Sequence, residues 1–388
     1  MRALLFQLDG KIPNLALMRL AAHHRRQGDA VELFKTGQPE RTLWDAQEPP
    51  GVVYGSMLFL KTKPAADRLH AAYPQAILGG TGWNLKITLE SVGITTTDLD
   101  YSIYPGFRQS IGFTQRGCRL HCPFCVVPEK EGRVRASQTI AEIWRGEPWP
   151  KELLLLDNDF FGQAEWRTRI QEIRDGGFKV SFNQGINARC LTDEAAEAIA
   201  SIDYRDDQMK DRRIYTAWDN RADEERLFAG LRRLVKYGVK PRHIMVYILC
   251  GYWPGETHED RDYRRKRLRD FGALPFPMPY VKTAELVGFQ RWVVGAYDKR
   301  IPWRDFRTAS FEPRKLHVDE TPAPRLFPLR DPRFEPTARF RSDDEAPFNL
   351  PDVPEDHNGC CGACHTYPCS CDQINQAEHV DTEQGDVE

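Results

Sequence analysis

Short apolar runs alternate with helical stretches along most of this chain, and that alternation restricts the fold more than any other feature. ALLFQL, AVELF, GVVYGSMLF and QAILGGTGW, within residues 3–83, read as four strands of buried type. Between the first two, NLALMRLAAHHRRQG carries Leu15, Leu17, Met18, Leu20 and Ala21 at helical spacing and is ended by Gly28. Downstream, LLLLDNDFFG, FKVSFNQGINARCL, RRIYTAWDN, HIMVYILCGYWPGET and ALPFPMPY repeat the pattern, and with Ser110–Phe113 they make six further strands. TDEAAEAIASI and ADEERLFAGLRRLVKYG are two of the helices between them. Strands joined by helices lie parallel, so the expectation is an α/β chain of two domains, a doubly wound sheet over 1–105 and a second α/β domain over 106–305. Ligands on such sheets bind beyond the carboxyl ends of the strands. Leu8-Asp9-Gly10 and Gly79-Gly80-Thr81-Gly82 fall there, as a binding edge or simply as tight turns.

The first of the six strands runs into GFTQRGCRLHCPFCVVP, with Cys118, Cys122 and Cys125 spaced C-x3-C-x2-C. Thiolates this close in sequence meet at one site only if the backbone loops tightly, and Gly117 and Pro123 suit such a loop. Iron–sulfur clusters take Cys thiolates, usually four. Three alone suggest a cubane with one iron open to a ligand that is not protein. A zinc site completed by His121, or inert thiols, is the alternative. After the motif, VVPEKEGRVRASQTIAEI reads as a loop and then a helix start, with Ser137 as N-cap.

The three cysteines, Phe124 just before the last, and Arg133 and Arg135 after it resemble the radical S-adenosylmethionine (SAM) superfamily. The resemblance covers residues 1 to about 305. It implies a partial (β/α)6 barrel, a 4Fe-4S cluster on the three cysteines, SAM on the open iron, and reductive cleavage to a 5′-deoxyadenosyl radical. An electron donor such as flavodoxin or ferredoxin is implied as partner. The resemblance further implies SAM contacts from Phe124, Asp157, Asn158, Gln184, Trp218, Asp219, Gly251 and Met278, with Asp157 favoured for the amino group although the family's Gly-Gly-Glu is absent. The residues also have plainer readings. One or more of Asp157, Asn158, Asp159, Asp219 and Asn220 would cap a helix; Met278 would be core; Cys190 and Cys250 would be small buried apolar groups; Glu256 would be an exposed helix-start residue.

The first domain resembles the cobalamin-binding-like, Rossmann-type domain that precedes the barrel in one branch of the superfamily. The cobalt-ligand motif D-x-H-x-x-G is missing: Asp9 is followed two residues later by Lys11, and His23 and His24 lie on a helix outside that frame. Cobalamin would therefore bind without a protein ligand to cobalt. The reading is a radical SAM enzyme of unassigned substrate. Its runner-up is a cobalamin-dependent radical methyltransferase, and an RNA- or protein-binding module with structural metal sites is the rival of another class. Methylthiolation fits less well, because no Cys precedes Cys118.

Composition limits the rest. The formal net charge of −2 points to neither nucleic acid nor anionic membrane. No run approaches the ~18–20 apolar residues that span a bilayer. The apolar start, Met1 to Leu8, is too short for a signal peptide, so a cytoplasmic protein is expected. HEDRDYRRKRLRDFG holds a basic run that reads as a solvated face balanced by acids or, more sharply, as an RNA contact. Residues 306–358 read as a Pro-rich linker. Cys360, Cys361, Cys364, Cys369 and Cys371 then form a candidate second metal site, for zinc or another iron–sulfur cluster. Residues 372–388 read as a disordered acidic tail.

Overall fold

The computed structural model describes residues 1–35 and 49–310. The chain divides into two units: Met1–Gln109 with Glu147–Pro150, and Ser110–Gly146 with the chain from Lys151 onward. The boundary expected at 105/106 thus falls a few residues early, and 147–150 belong with the first unit.

In the first unit, β1 (Arg2–Gln7), α1 (Leu15–Arg26), β2 (Ala30–Lys35), β3 (Val52–Ser56), α2 (Lys63–Ala72) and β4 (Ile77–Gly79) follow in order. The four strands form one parallel sheet, β2-β1-β3-β4. β1 is buried along nearly all its length, which explains an apolar run without alternation. Asn14 caps α1 by accepting the N–H groups of Ala16 and Leu17. The helix buries Leu17, Met18 and Leu20, each contributing about 2 kcal/mol of apolar burial. Gly55 lies so close to Leu69 and Leu78 that a Cβ there would meet both within 2.7 Å.

The second unit begins with β5 (Ser110–Gly112), β6 (Gln115–Arg116), α3 (Val127–Glu131), β7 (Arg135–Ala136), α4 (Ile140–Ile143) and β8 (Glu152–Leu155). α5 (Trp166–Gly176), β9 (Lys179–Phe182), α6 (Asp193–Ala200), β10 (Asp203–Tyr204) and β11 (Ile214–Trp218) continue it. α7 (Glu224–Lys236), β12 (Ile244–Cys250), α8 (His258–Phe271), β13 (Leu274–Pro279), α9 (Ala284–Val294) and α10 (Trp303–Ser310) complete it. Two parallel sheets result, β10-β9-β8-β5 and β11-β12-β13, with β6 and β7 as a separate antiparallel pair. Leu153, Leu155, Val180, Phe182, Ile214 and Ile244 pack against helix residues such as Ile173, Leu227, Leu231 and Phe289 in one core. β13 carries Pro275, Pro277 and Pro279, so the N–H groups it lacks fall on one side, and it ends its sheet.

All ten expected strands are present; the two-residue strands β6, β7 and β10 are additional. Three local expectations are corrected. Thr139, not Ser137, caps α4, in a capping box with Glu142. VPEKE, read as loop, forms α3. α10 runs through 306–310, where the linker was expected to begin. The remainder of the linker, the Cys360–Cys371 cluster and the acidic tail lie outside the described residues.

The basic run on α8 is a solvated, acid-balanced face only in part, at the exposed Lys266 and Arg267, and is not a free cationic surface. Arg264 and Arg265 are buried. Arg264 pairs with Glu256, Arg265 and Arg269 with Asp298, Arg267 with Glu224, and Lys266 with Asp262. The guanidinium groups knit this helix to its neighbours. Among the described residues no helix is long and apolar enough to cross a membrane.

Candidate functional site

The three cysteines occupy the loop between β6 and β7, closed at its base by the pairs Gln115–Ala136 and Arg116–Arg135. Gly117 has φ of +78°, and a Cβ there would stand 2.2 Å from the Arg133 carbonyl oxygen. Only glycine lets the two arms approach so closely. Acidic side chains brace the loop. Glu131 pairs with Arg116 at 2.8 Å and accepts the Gly117 N–H and the Asn158 amide, each at 3.1 Å. Asp159 pairs with Arg119 at 2.9 Å. Asp157 accepts the Gln115 N–H at 2.7 Å and the Thr114 hydroxyl at 3.0 Å. Burial pushes its carboxyl up to about 7 against those bonds. Asp157 and Asn158, expected at SAM, are here ties between the end of β8 and the cysteine loop.

Cys118, Cys122 and Cys125 are free thiols, each partly buried. Leu120 N–H points at Cys118 Sγ (3.4 Å) and Val127 N–H at Cys125 Sγ (3.5 Å). Burial pushes the Cys118 thiol up to about 12, with Asp159 adding to it, and Cys122 up to about 11, with Arg189 opposing. Cys125 is raised by burial too. Ionising three such thiols side by side needs cationic charge at the sulfurs. Backbone N–H groups aimed at sulfur are what a thiolate-held cluster exploits. Among the described residues no three His, Cys, Asp or Glu side chains are placed to share one metal ion. A cubane makes no such demand, because each thiolate ligates an iron of its own. Three cysteines on one loop are the kind of donor set a cubane takes, and His121 is exposed beside them.

Beside the loop lies a small, open cleft, with an enclosed volume of only about 10 Å³, lined by Cys122, Pro123, Phe124, Arg189, Asp219, Asn220, Asp223 and Trp253. Arg189 is its fixed cation. It pairs with Asp223 at 2.6 Å, bonds Asn187 Oδ1 at 3.2 Å, and faces Cys122 and Asp219. Burial pushes the Asp219 carboxyl up to about 6, while Arg189 and Arg264 pull it down. Trp253 donates its indole N–H to the Asp219 carbonyl at 2.6 Å. Tyr252 joins Phe124 (centroids 5.4 Å), Trp253 (5.1 Å) and Tyr280 (4.9 Å) in an aromatic group at the carboxyl ends of β12 and β13.

Of the residues expected at SAM, Phe124 and Asp219 therefore line one cleft. Gly251 follows β12 at φ +78° and donates its N–H to Glu256 at 2.5 Å. Met278 is 43% exposed at the end of β13, so the core reading fails for it. Gln184 is exposed and bonds Asn183. Trp218 is a correction: it is fully buried, and its ring packs on Phe228 and Tyr263. Glu256 is another, because its side chain is buried between Arg261 and Arg264. Asn220 does cap a short helix, accepting the Ala222 N–H, and Cys250 is a buried apolar group. Tyr252, Trp253 and Asp223 were not singled out; the aromatic pair follows β12 directly, and that position was their signal.

In the first unit the strand order turns back between β1 and β3, where a ligand crevice is expected. That edge is filled by its own hydrogen bonds. Asp9 accepts the N–H groups of Leu58 and Phe59 at 2.9 Å each. Gln7, Tyr104, Asn14 and Ser56 form a chain of bonds of 2.8–3.1 Å. His24 is buried against Asp29 and Tyr54. Among the described residues this edge offers cobalamin no imidazole, and its polar groups bond to one another, so they do not fit that group. No family model matches the chain, and no curated protein matches it significantly.

Proposed function

We propose that this chain is a radical SAM enzyme. The observation that carries the reading is the hairpin-closed loop that presents Cys118, Cys122 and Cys125 at the carboxyl ends of parallel strands, beside a cleft with one fixed cation and an aromatic wall. β5, β8, β9, β11, β12 and β13, each followed by helical chain, support a partial (β/α)6 barrel. The order β2-β1-β3-β4 supports a Rossmann-type first domain.

Cys118, Cys122 and Cys125 would hold a 4Fe-4S cluster, which when bound and reduced would supply the one electron that breaks the sulfonium C–S bond of SAM into methionine and a 5′-deoxyadenosyl radical. The chain's own groups do the rest. Asp157, Asp159 and Glu131 fix the loop so that the thiols keep their spacing. Leu120 and Val127 N–H groups and the Arg189 guanidinium place positive charge at the sulfurs. Arg189 offers a cation for the SAM carboxylate, and Asp219 an acceptor for its amine or ribose hydroxyls. Phe124, Tyr252 and Tyr280 offer apolar faces to the adenine and limit water in the cleft. Such chemistry needs a reducing compartment, which supports a cytoplasmic protein served by flavodoxin or ferredoxin.

The test is iron and sulfide analysis of protein purified without oxygen, with electron paramagnetic resonance of the reduced form. About four iron per cysteine loop is expected, with a spectrum that changes when SAM is added. Iron unaffected by replacing all three cysteines with Ala, in a chain also lacking residues 359–388, would refute the assignment.

A further inference from the structure

The lysines of the first unit gather at the carboxyl edge of its sheet. Three loops follow β1, β3 and β4, covering residues 8–13, 57–62 and 80–88. They are locked together: Asp9 accepts the Leu58 and Phe59 N–H groups, and Gly82 N–H donates to the Met57 carbonyl at 3.0 Å. A Cβ at Gly80 would stand 2.3 Å from the Met57 carbonyl oxygen, and one at Gly82 2.7 Å from the Phe59 backbone. The third loop therefore lies flat on the second, and the three present one continuous surface.

Among the described residues that surface is one-sided in charge. Lys11, Lys61, Lys86 and, at the start of α2, Lys63 are exposed. The loops hold one carboxylate, Asp9, which is buried and spent on backbone N–H groups. Lys63 is paired with Asp67 at 2.7 Å; among the described residues Lys11, Lys61 and Lys86 have no carboxylate partner. Overall the chain carries −2, so this is local segregation and not general basicity. Two aromatic rings are interleaved. Phe59 is 50% exposed with Lys61 Nζ 5.3 Å from its centroid, and Lys63 Nζ lies 5.3 Å from that of Trp83. A single exposed Phe is ordinary. An exposed ring among unpaired lysines, on loops fixed by three strands, is the arrangement that stacks a base and neutralises its phosphates.

We propose that this edge binds single-stranded nucleic acid, with a base on Phe59 and phosphates on Lys11, Lys61 and Lys86. Charge complementarity selects a polyanion, and the exposed ring selects one with bases. The inference does not depend on the cysteine loop.

The test is fluorescence anisotropy of labelled oligo(U) and oligo(dT) of about 15 nucleotides titrated with the full chain at several salt concentrations. Phe59→Ala should weaken binding about tenfold, the size of one lost base stack. Replacing Lys11, Lys61 and Lys86 together by Gln should flatten the slope of log K against log salt by about 2, at ~0.7 per single-strand phosphate contact. All four positions are exposed, so circular dichroism of the variants should match the parent. Preference for oligo(U) would name the 2′-hydroxyl as a contact; equal binding would leave base and phosphate as the determinants, and both outcomes support the proposal. No binding, variants that bind like the parent, or displacement by polyglutamate as effective as by unlabelled oligonucleotide would overturn it.

Discussion

Replacing Arg264 by Met should destabilise the second unit by about 3–5 kcal/mol, the usual cost of removing one partner of a buried ion pair. The structure says why. The Arg264 side chain is 2% exposed and that of Glu256 4%. The guanidinium also donates to the carbonyls of Trp218 (3.1 Å) and Leu249 (3.0 Å), joining the ends of β11 and β12 that carry Asp219 and Gly251. The variant strands Glu256 in the interior, where Arg261 at 3.5 Å compensates only part of its charge. It also leaves two carbonyls short of a donor, at about 1 kcal/mol each. Glu256→Gln keeps an acceptor for the Gly251 N–H and should cost less, about 2 kcal/mol. The double variant removes both charges, so its cost should fall short of the sum by about 1–3 kcal/mol. Urea unfolding followed by tryptophan emission reads this region through Trp218, which is buried next to the pair. Costs that add within about 0.5 kcal/mol would refute the reasoning, because a pair that does not couple is not a buried pair.

Three further outcomes follow. Asp157 titrates at about 7 in the folded chain against 3.8 ordinarily, so the native state holds this proton more tightly. Its contribution to stability is complete below about pH 4 and is lost as pH rises through about 7. Asp157→Asn should therefore be less pH-dependent than the parent between pH 5 and 8 in urea titrations, and identical slopes would contradict this. Gly117→Ala puts a methyl 2.2 Å from the Arg133 carbonyl at a positive φ; it should lose most of the iron of the cysteine loop while far-ultraviolet circular dichroism is kept, and parent-level iron would count against the loop's role. A chain ending at Asp356 should keep the cysteine-loop iron. If it also has the same total zinc and iron as the full chain, Cys360 to Cys371 hold no metal.

Much of the architecture was legible because long apolar runs leave little choice: β1, β8 and β12 could only be buried strands. The two-residue strands were not legible, since β6, β7 and β10 exist through their partners and carry no pattern of their own. Trp218 shows the limit of reading polar strand ends as a site. In β11 Ile214, Thr216 and Trp218 share the buried face, so the strand's period of two already assigned Trp218 to the core. The arginines of α8 misled for a different reason. Sequence spacing displays their neighbours on the helix, but their counter-charges Glu256, Glu224 and Asp298 come from other segments. Cys118, Cys122 and Cys125 were readable because their spacing is local. Arg189 and Asp223 lie 34 residues apart in sequence and meet only in the folded cleft.

The measurement that bears most directly on the central claim is SAM cleavage. Protein reconstituted with iron and sulfide without oxygen, then reduced with dithionite, should convert SAM to 5′-deoxyadenosine and methionine, quantified by chromatography. The chain with Cys118, Cys122 and Cys125 replaced by Ala should form none above the protein-free control. A fully iron-loaded parent that leaves SAM intact, or 5′-deoxyadenosine from the triple variant equal to the parent's, would contradict the account.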